Sequence, residues 1–226
     1  MRRHRWMLVA AATAAVMLAS TTPATAKPGS QVTLKFWRLD GTTTATGFTS
    51  GPSADGGGKA VTLDGGTTGA AANDVYAISF EGWWGQPLSA VSSLKVSTQE
   101  PLTGGSPRIS VTLSTTSSGS SGWDAGTLFL DPNYCNTSNA NGWRTSNWRG
   151  GVLCTIWDDQ GRSYTGTSAV YDQYGTLLSP AVSAWDVMLA SGDHAGHYVY
   201  YAFLIQDQPI RSRVDRITID SKVFTK

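Results

Sequence analysis

The feature that most constrains the fold is a two-residue alternation of apolar and polar side chains. In "RISVTLST" (108–115), Ile109, Val111 and Leu113 alternate with Ser110 and Thr112. Successive side chains of a β-strand point to opposite faces, so this run predicts a half-buried strand. Comparable runs recur between clusters of glycine, serine and threonine: "QVTLKFWRL" (31–39), "KAVTL", "DVYAISF" (74–80), "SLKVST", "GTLFLDP", "GVLCTIW" and "RVDRITID". Short strands separated by turn clusters are typical of a β-sandwich or a barrel.

The run "HYVYYAFLIQ" (197–206) is apolar on both of its alternating rows. Two interpretations stay open. The strand is central and covered on both sides, or its tyrosine row lines a concave face. One row would contain Val199, Tyr201, Phe203 and Ile205, and the other Tyr198, Tyr200, Ala202 and Leu204.

One segment has the pattern of a short helix. In "SPAVSAWDVMLASG", Ser179 is the expected N-cap, Pro180 lies in the first turn and Gly192 follows the end. This combination predicts a helix near residues 180–191. In contrast, "TTSSGSSG" (115–122) reads as a hairpin tip or loop.

The first 26 residues have the pattern of a secretory signal peptide. Arg2, Arg3 and Arg5 precede an apolar run at 7–18, and Ala24-Thr25-Ala26 matches a signal peptidase site. Cleavage after Ala26 would leave a single β-sandwich domain at 27–226, located outside the cell. No membrane insertion is expected, because the apolar run is too short for a resident spanning helix.

Charge and cysteine content narrow the function classes further. Without the signal peptide the chain has 14 basic and 16 acidic residues, a net charge of −2, so nucleic acid is not an expected partner. Two cysteines in an exported protein predict one disulfide, Cys135–Cys154. Closing this loop should stabilise the fold by about 3 kcal/mol if the chain-entropy model holds.

The order of several pieces resembles a known architecture. "SSLKVST", "PRISVTL", "TLFLDPNY", "GWRTSNW", "SAWDVMLAS" and "VDRITID" follow one another as in secreted actinobacterial jelly-roll β-sandwiches, which are similar to concanavalin A-like domains and carbohydrate-binding modules. The resemblance covers roughly 65–220 and implies an all-β jelly-roll sandwich; together with the short helix and the disulfide predicted above, this gives the expected fold class. It implies a fold and no particular activity. The chain departs from that pattern by its cysteine-closed loop.

Aromatic residues are the most abundant candidates for ligand binding. Two tryptophans lie between the two cysteines, in "NGWRTSNWRGG" (141–151). Tryptophan rings stack on the apolar faces of sugars, and flanking amides and guanidinium groups bond hydroxyls, so a binding surface is one interpretation. Packing of both rings in the core is the other. We expect Trp143 to be packed and Trp148 to be more exposed. The candidate ligand-binding residues are Trp143, Arg144, Asn147, Trp148 and Arg149.

Signals for catalysis or metal binding are weaker. Glu81, in "SFEGWWGQ", ends a predicted strand beside two tryptophans and is the one candidate catalytic carboxylate. His194 and His197, in "GDHAGHY", have a metal-compatible spacing without an evident third ligand, so no metal is assigned. No motif indicates a cofactor, and the sequence does not decide whether a structural calcium ion is bound.

Three functions are therefore considered. The first is a non-catalytic module that binds polysaccharide or cell-envelope glycan. Because the chain has few carboxylates and histidines, binding is favoured over catalysis. The second is a glycan-active hydrolase or lyase that uses Glu81. The third is a structural or protein-interaction protein of the cell surface.

Overall fold

A computed structural model describes residues 32–38, 49–50, 54, 59–64, 76–99, 102, 107–135, 142–150, 153–206 and 211–225. The predicted signal peptide lies outside these residues. The described elements are β1 (Thr33–Arg38), β2 (Thr49–Ser50), β3 (Lys59–Asp64), β4 (Tyr76–Glu81), β5 (Leu94–Gln99), β6 (Arg108–Ser114), β7 (Thr127–Leu130), β8 (Trp143–Asn147), β9 (Thr155–Asp158), β10 (Ser163–Thr165), β11 (Val170–Tyr171), β12 (Leu177–Ser179), α1 (Ala184–Ser191), β13 (Tyr198–Gln206), β14 (Arg211–Ile219) and β15 (Lys222–Phe224). Each run predicted as a strand contains one.

The strands form two antiparallel sheets. The seven-stranded sheet has the order β1-β4-β13-β6-β7-β9-β10, and the second sheet has the order β2-β3-β14-β5-β8 with β15 paired to β14. The chain crosses repeatedly from one sheet to the other, as it does in jelly-roll sandwiches. Together with α1 and one disulfide, this architecture confirms the predicted all-β sandwich.

The apolar rows of both sheets meet in one core. Ile109, Val111 and Leu113 of β6 are fully buried, as their alternation predicts. Ser110 and Thr112 are buried as well, so the strand is not half-buried; β6 is central, between β13 and β7. From the second sheet, Leu63, Leu94 and Val214 belong to the same cluster. Because burying apolar surface drives folding, this shared core holds the two sheets together and fixes which face of each sheet points outward.

The helix is shorter at its N-terminus than the sequence predicts. Ser183, not Ser179, is the N-cap, and its Oγ accepts a 3.1 Å hydrogen bond from the backbone N–H of Asp186. Ser179 instead ends β12. The Gly192 prediction is confirmed, because this residue adopts φ +83° just after the helix. Trp185 is fully buried beneath the helix, and its Nε1–H donates to the carbonyl of Leu88.

The predicted disulfide is present. Cys135 follows a 3₁₀ helix at Pro132–Tyr134, and Cys154 directly precedes β9. Both cysteines belong to the hydrophobic core. The bond therefore ties the end of the β7 region to the start of β9 and closes the segment that contains β8.

A two-stranded ribbon lies outside the two large sheets. β11 and β12 form a separate antiparallel ribbon, whose base is joined by a bridge between Thr167 and Val182. The ribbon and its turn expose several large apolar side chains: Val170, Tyr171, Tyr174, Leu177 and Leu178. Among the described residues, no helix is long and apolar enough to span a membrane.

Candidate functional site

The two tryptophans of the disulfide-closed segment are buried. Trp143 begins β8 opposite Gln99 and is 2% exposed, and Trp148 is 0% exposed within the hydrophobic core. The backbone N–H of Trp148 donates to Leu94, and its carbonyl accepts from the N–H of Trp185. The expectation that Trp148 is exposed is wrong, because the segment forms an edge strand and Trp148 packs between that strand and α1. Neither ring is available to stack on a ligand.

The polar residues of this segment that were predicted to bind a ligand instead make contacts within the fold. The Nε–H of Arg149 donates to the carbonyl of Val91 at 2.7 Å, and its Nη1 pairs with Asp186 of α1. The Oδ1 of Asn147 accepts the N–H of Arg149 across a turn. Arg144 lies half-buried in β8. These contacts hold the segment against the helix and the 88–91 turn, which is a structural role.

The outward face of the seven-stranded sheet carries a row of aromatic residues. One residue of each of the seven strands belongs to this row, and each pairs directly with the next across the sheet: Lys35, Ser79, Phe203, Ser110, Phe129, Trp157 and Ser163. The rings of Phe203, Phe129 and Trp157 are half-buried, and the small residues between them form the floor. Tyr134 adds an exposed ring, 4.2 Å from that of Trp157 between centroids. The face thus combines aromatic rings with short polar side chains.

A bulge in β13 adds two tyrosines to this face. Val199 pairs with Leu113 and Tyr201 pairs with Thr112, so Tyr200 is an extra residue without its own partner position. The bulge shifts the alternation, and Val199 and Ala202 both point inward while Tyr200 and Tyr201 are each 38% exposed. β13 is also central, between β4 and β6. Both of the interpretations considered for this run therefore hold in part.

These tyrosines line a groove of about 240 Å³, here called the aromatic groove. Trp84, which is 56% exposed, forms part of its wall, and Glu81 stands at the end of β4 beside it. The Oγ–H of Ser79 donates to Glu81 Oε1 at 2.7 Å, which fixes the carboxylate. Among the described residues, the groove is lined by Phe80, Glu81, Gly82, Trp84, Ser118, Gly119, Tyr200 and Tyr201.

Two glycines let the loops around the groove approach each other. Gly85 has φ +77°, and a Cβ there would lie 2.6 Å from the carbonyl oxygen of Ser117. Gly119 has φ +62°, and a Cβ there would lie 3.2 Å from the ring of Tyr200. The 82–85 turn and the 115–122 loop therefore contact each other at the mouth of the groove.

A second concavity, here called the polar basin, lies on the other side of the 115–126 loop. It has a volume of about 750 Å³ and is lined by Thr115, Trp123, Asp124, Ala125, Gly126, Asp159, Gln160, Arg162, Asp193, His194 and His197. Trp123 is 62% exposed at its rim, and its Nε1–H donates to the carbonyl of Gly126. Gly126 also leaves room for a carboxylate, because a Cβ there would lie 2.7 Å from Asp159 Oδ1.

A hydrogen-bonded network forms the wall of the basin. Asp158 accepts bonds from the Nε–H of Arg162 at 2.6 Å and from Nε2 of His194 at 3.2 Å. Asp193 accepts bonds from the Nη1–H of Arg162 and from the hydroxyl of Tyr164. Burial alone would raise the pKa of Asp158, but the bonds from Arg162 and His194 outweigh it and hold this pKa below its ordinary value. Burial and the bond to Asp193 raise the pKa of Tyr164.

Two further carboxylates of the basin are also held in their charged form. Hydrogen bonds from the side chain and backbone of Thr115 lower the pKa of Asp124. The bond from Tyr164, followed by one from Ser191, lowers the pKa of Asp193. Arg162 is already engaged by Asp158 and Asp193. The basin is therefore a negatively charged concavity at neutral pH.

The two candidate metal-ligating histidines lie together in this basin. The ring centroids of His194 and His197 are 5.6 Å apart. Burial, and then the neighbouring His194, lower the pKa of His197. In the described part of the chain, no group of three or more histidine, cysteine, aspartate or glutamate side chains is arranged to hold a metal ion.

No family model, curated protein or solved structure matches this chain. The sequence singled out Glu81, His194 and His197, which line the groove and the basin. It did not identify Trp84, Tyr201 or Trp123 as site residues, and it placed Tyr200 on a concave face in only one of its two interpretations. The signal that could have found the tyrosines is the doubly apolar pattern of β13, which marks a strand whose outward face also carries aromatic rings.

Proposed function

We propose that this chain is a non-catalytic extracellular protein that binds polysaccharide or cell-envelope glycan through the outward face of its seven-stranded sheet. The observation that supports this proposal is the aromatic groove, where Trp84, Tyr200 and Tyr201 surround the fixed carboxylate of Glu81. The disulfide and the β-sandwich are compatible with an extracellular location.

The chemistry of the groove suits a sugar chain. Sugar rings present C–H faces that pack on exposed aromatic rings, and their hydroxyls need hydrogen-bond acceptors beside those rings. Trp84 and the two tyrosines offer the rings, and Glu81 offers the acceptor. The aromatic row continues through Phe203, so a chain of several sugar units has further surface to contact.

A pull-down with insoluble polysaccharides, together with a glycan array, tests this proposal. We expect Trp84→Ala and Tyr201→Ala each to weaken retention on the bound glycan by about tenfold, the effect of losing roughly 1.4 kcal/mol. Trp84 is more than half exposed, so Trp84→Ala should change the melting temperature little; Tyr201 is 38% exposed, so retention by Tyr201→Ala is compared at a temperature where that variant is folded.

Tyr174→Ala is the matched control, since Tyr174 is 83% exposed in the turn of the β11–β12 ribbon, outside the groove. This variant should retain glycan as the unmodified protein does. The proposal fails if no glycan is retained by the unmodified protein, or if the Tyr174 variant loses retention as strongly as the Trp84 variant.

A glycan hydrolase or lyase that uses Glu81 is the second candidate, because this carboxylate stands inside the groove. Hydrolysis of glycosides requires a second carboxylate across the scissile bond. No other acidic residue of the described chain lines the groove. Release of reducing ends by the unmodified protein, lost in Glu81→Gln, would replace the binding proposal with this one.

A protein-interaction role at the cell surface is the third candidate, and the β11–β12 ribbon favours it. Five large apolar side chains on this ribbon are more than half exposed, and exposed apolar patches are typical of interaction surfaces. Replacing Leu178 with Ser should then reduce self-association or adsorption measured by sedimentation, while retention on glycan is unchanged.

A further inference from the structure

The polar basin holds a buried acceptor atom whose partner is missing from the described residues. The side chain of His194 is 3% exposed, and its Nδ1 has no hydrogen-bond partner there. Its Nε2 contacts Asp158, which as a carboxylate can only accept, so Nε2 carries the proton. In the neutral ring Nδ1 then carries a lone pair without a partner, and His194 is one of the residues that line the basin. An unpaired buried acceptor is costly, so this atom marks a place for a donor.

The charges around this atom define what kind of donor fits. Among the described residues, Asp124, Asp159 and Asp193 line the basin together with one cationic side chain, Arg162. Arg162 is itself bound to Asp158 and Asp193, so four carboxylates face one guanidinium group. His197 lines the basin as well, and burial favours its neutral form by lowering its pKa. An anionic ligand is therefore disfavoured, and a cationic donor is favoured.

The rim of the basin adds an aromatic surface. The ring of Trp123 is 62% exposed beside Asp124. Indole faces attract cations, and they also pack on sugar C–H groups. A protonated primary amine that is attached to a sugar ring meets all three features: it has several N–H donors, a positive charge and an apolar ring face.

The basin and the aromatic groove lie along one row of the sheet. Tyr201 of the groove pairs with Thr112, and Thr112 pairs with Thr127. Asp159 of the basin follows, because its backbone N–H donates to the carbonyl of Thr127 and its side chain accepts the N–H of Thr127. These positions span three strand spacings, or about 14 Å. An oligosaccharide that contacts both concavities has to bridge this distance across the 115–126 loop.

We propose that the polar basin is a second subsite that binds the protonated amine of a de-N-acetylated amino sugar within the glycan. This inference rests on the proposed glycan binding at the aromatic groove, and it assigns the ligand class: a polysaccharide with free amino groups. N-Acetylation removes the charge and adds bulk at the same nitrogen, so the basin discriminates against the acetylated form.

The test compares three tetrasaccharides of the same linkage: β-1,4-linked glucosamine, N-acetylglucosamine and glucose. Titrations followed by NMR, at a pH low enough to keep the sugar amine protonated and in EDTA, use two indole N–H signals as separate reporters, Trp84 for the groove and Trp123 for the basin. We expect the glucosamine tetramer to bind about tenfold more tightly than the other two and to shift both signals. The other tetramers should shift only the Trp84 signal.

Asp124→Asn should reduce the preference for the amine to near unity, and the amide oxygen can still accept the N–H of Thr115. Asp172→Asn is the matched control, because Asp172 is also an exposed aspartate that accepts backbone N–H groups in a turn. The inference is overturned if the glucosamine and N-acetylglucosamine tetramers bind equally, or if the Asp172 variant loses the preference as Asp124→Asn does.

The two proposals fail in different ways. A Trp84 signal that shifts with every tetramer while the Trp123 signal stays still would retain the groove and overturn the basin. A Trp123 signal that shifts with glucosamine alone, while the Trp84 signal never moves, would retain amine binding at the basin and overturn the proposed groove. If neither signal moves, both proposals are wrong.

Discussion

The disulfide-closed segment and the turn beside the aromatic groove have a similar aromatic content but differ in which tryptophan rings are exposed. Both combine a pair of large aromatic residues with glycine and polar neighbours, in "NGWRTSNWRGG" and "FEGWWGQ". In the first, Trp143 and Trp148 are both buried. In the second, Trp83 is buried and the adjacent Trp84 is 56% exposed. Composition therefore does not decide which ring meets solvent; the position of each residue relative to the core does.

The physical difference lies in what each segment is anchored to. Trp148 directly follows β8, the edge strand of the second sheet, and its backbone bonds both Leu94 and Trp185 of α1. Trp84 lies in a turn that leaves the seven-stranded sheet after β4, and its neighbour Trp83 fills the core against Phe80. In the second pair, Trp83 is packed in the core, and the neighbouring Trp84 is exposed to solvent.

The largest expected effect is on the stability of the disulfide-closed segment. Trp148→Ala removes a fully buried indole and should lower the free energy of unfolding by about 3–5 kcal/mol. Trp84→Ala should change it by less than about 0.5 kcal/mol, because that ring is exposed. Denaturant unfolding of both variants checks the comparison. Equal losses of stability would show that the two regions do not differ as described.

The disulfide should contribute the next largest effect. Replacing Cys135 and Cys154 together with serine opens a loop with a sequence separation of 19 and should lower the free energy of unfolding by about 3 kcal/mol. Because the bond lies away from the groove residues, retention of glycan by the folded protein should be unchanged. A double variant that is as stable as the parent, or that loses glycan, would contradict this separation of roles.

Sequence alternation was sufficient for most of the sandwich. Period-two patterns predicted the strands because one face of each strand must reach the shared core, as Ile109 does. The helix start was misplaced because Ser179-Pro180 and Ser183 both match an N-cap, and only the latter is followed by Asp186, which completes the capping bonds. Local pattern cannot choose between such competing caps. Ser179 is not the cap because it belongs to the strand β12.

The site was less predictable, for a reason visible in β13. The extra residue Tyr200 shifts the alternation, and a bulge depends on pairing with β6 rather than on the strand's own sequence. Similarly, the exposure of Trp148 was mispredicted because α1, which lies 36 residues later in the chain, covers it. Tertiary contacts, and not residue type, decide both outcomes.

A smaller effect should separate the mouth of the groove from the rest of the surface. Gly85→Ala should cost about 2–3 kcal/mol, because a strained φ is combined with a contact of 2.6 Å to the backbone of Ser117. Gly175→Ala is the matched control: its φ is +81° and its Cβ would meet nothing within 4 Å, so about 1 kcal/mol is expected. Thermal unfolding measures both. A Gly175 variant that is as destabilised as the Gly85 variant would mean that the two loops do not depend on close contact.

The smallest expected effect is a pH dependence that belongs to the basin beside the groove, since the sequence between the two cysteines contains no histidine. Burial, followed by His194, lowers the pKa of His197 in the folded protein, and Asp124 opposes this shift. A histidine with a depressed folded pKa contributes stability above its unfolded pKa of about 6.5, and this stability is lost as the pH falls, because the unfolded chain binds the proton first. The free energy of unfolding should therefore fall between about pH 7.5 and pH 5.5, and it should fall less in His197→Gln. Denaturant titrations at both pH values give the difference between the two proteins. An equal fall in both would assign the pH dependence to other groups and show that His197 does not distinguish the basin from the disulfide-closed segment.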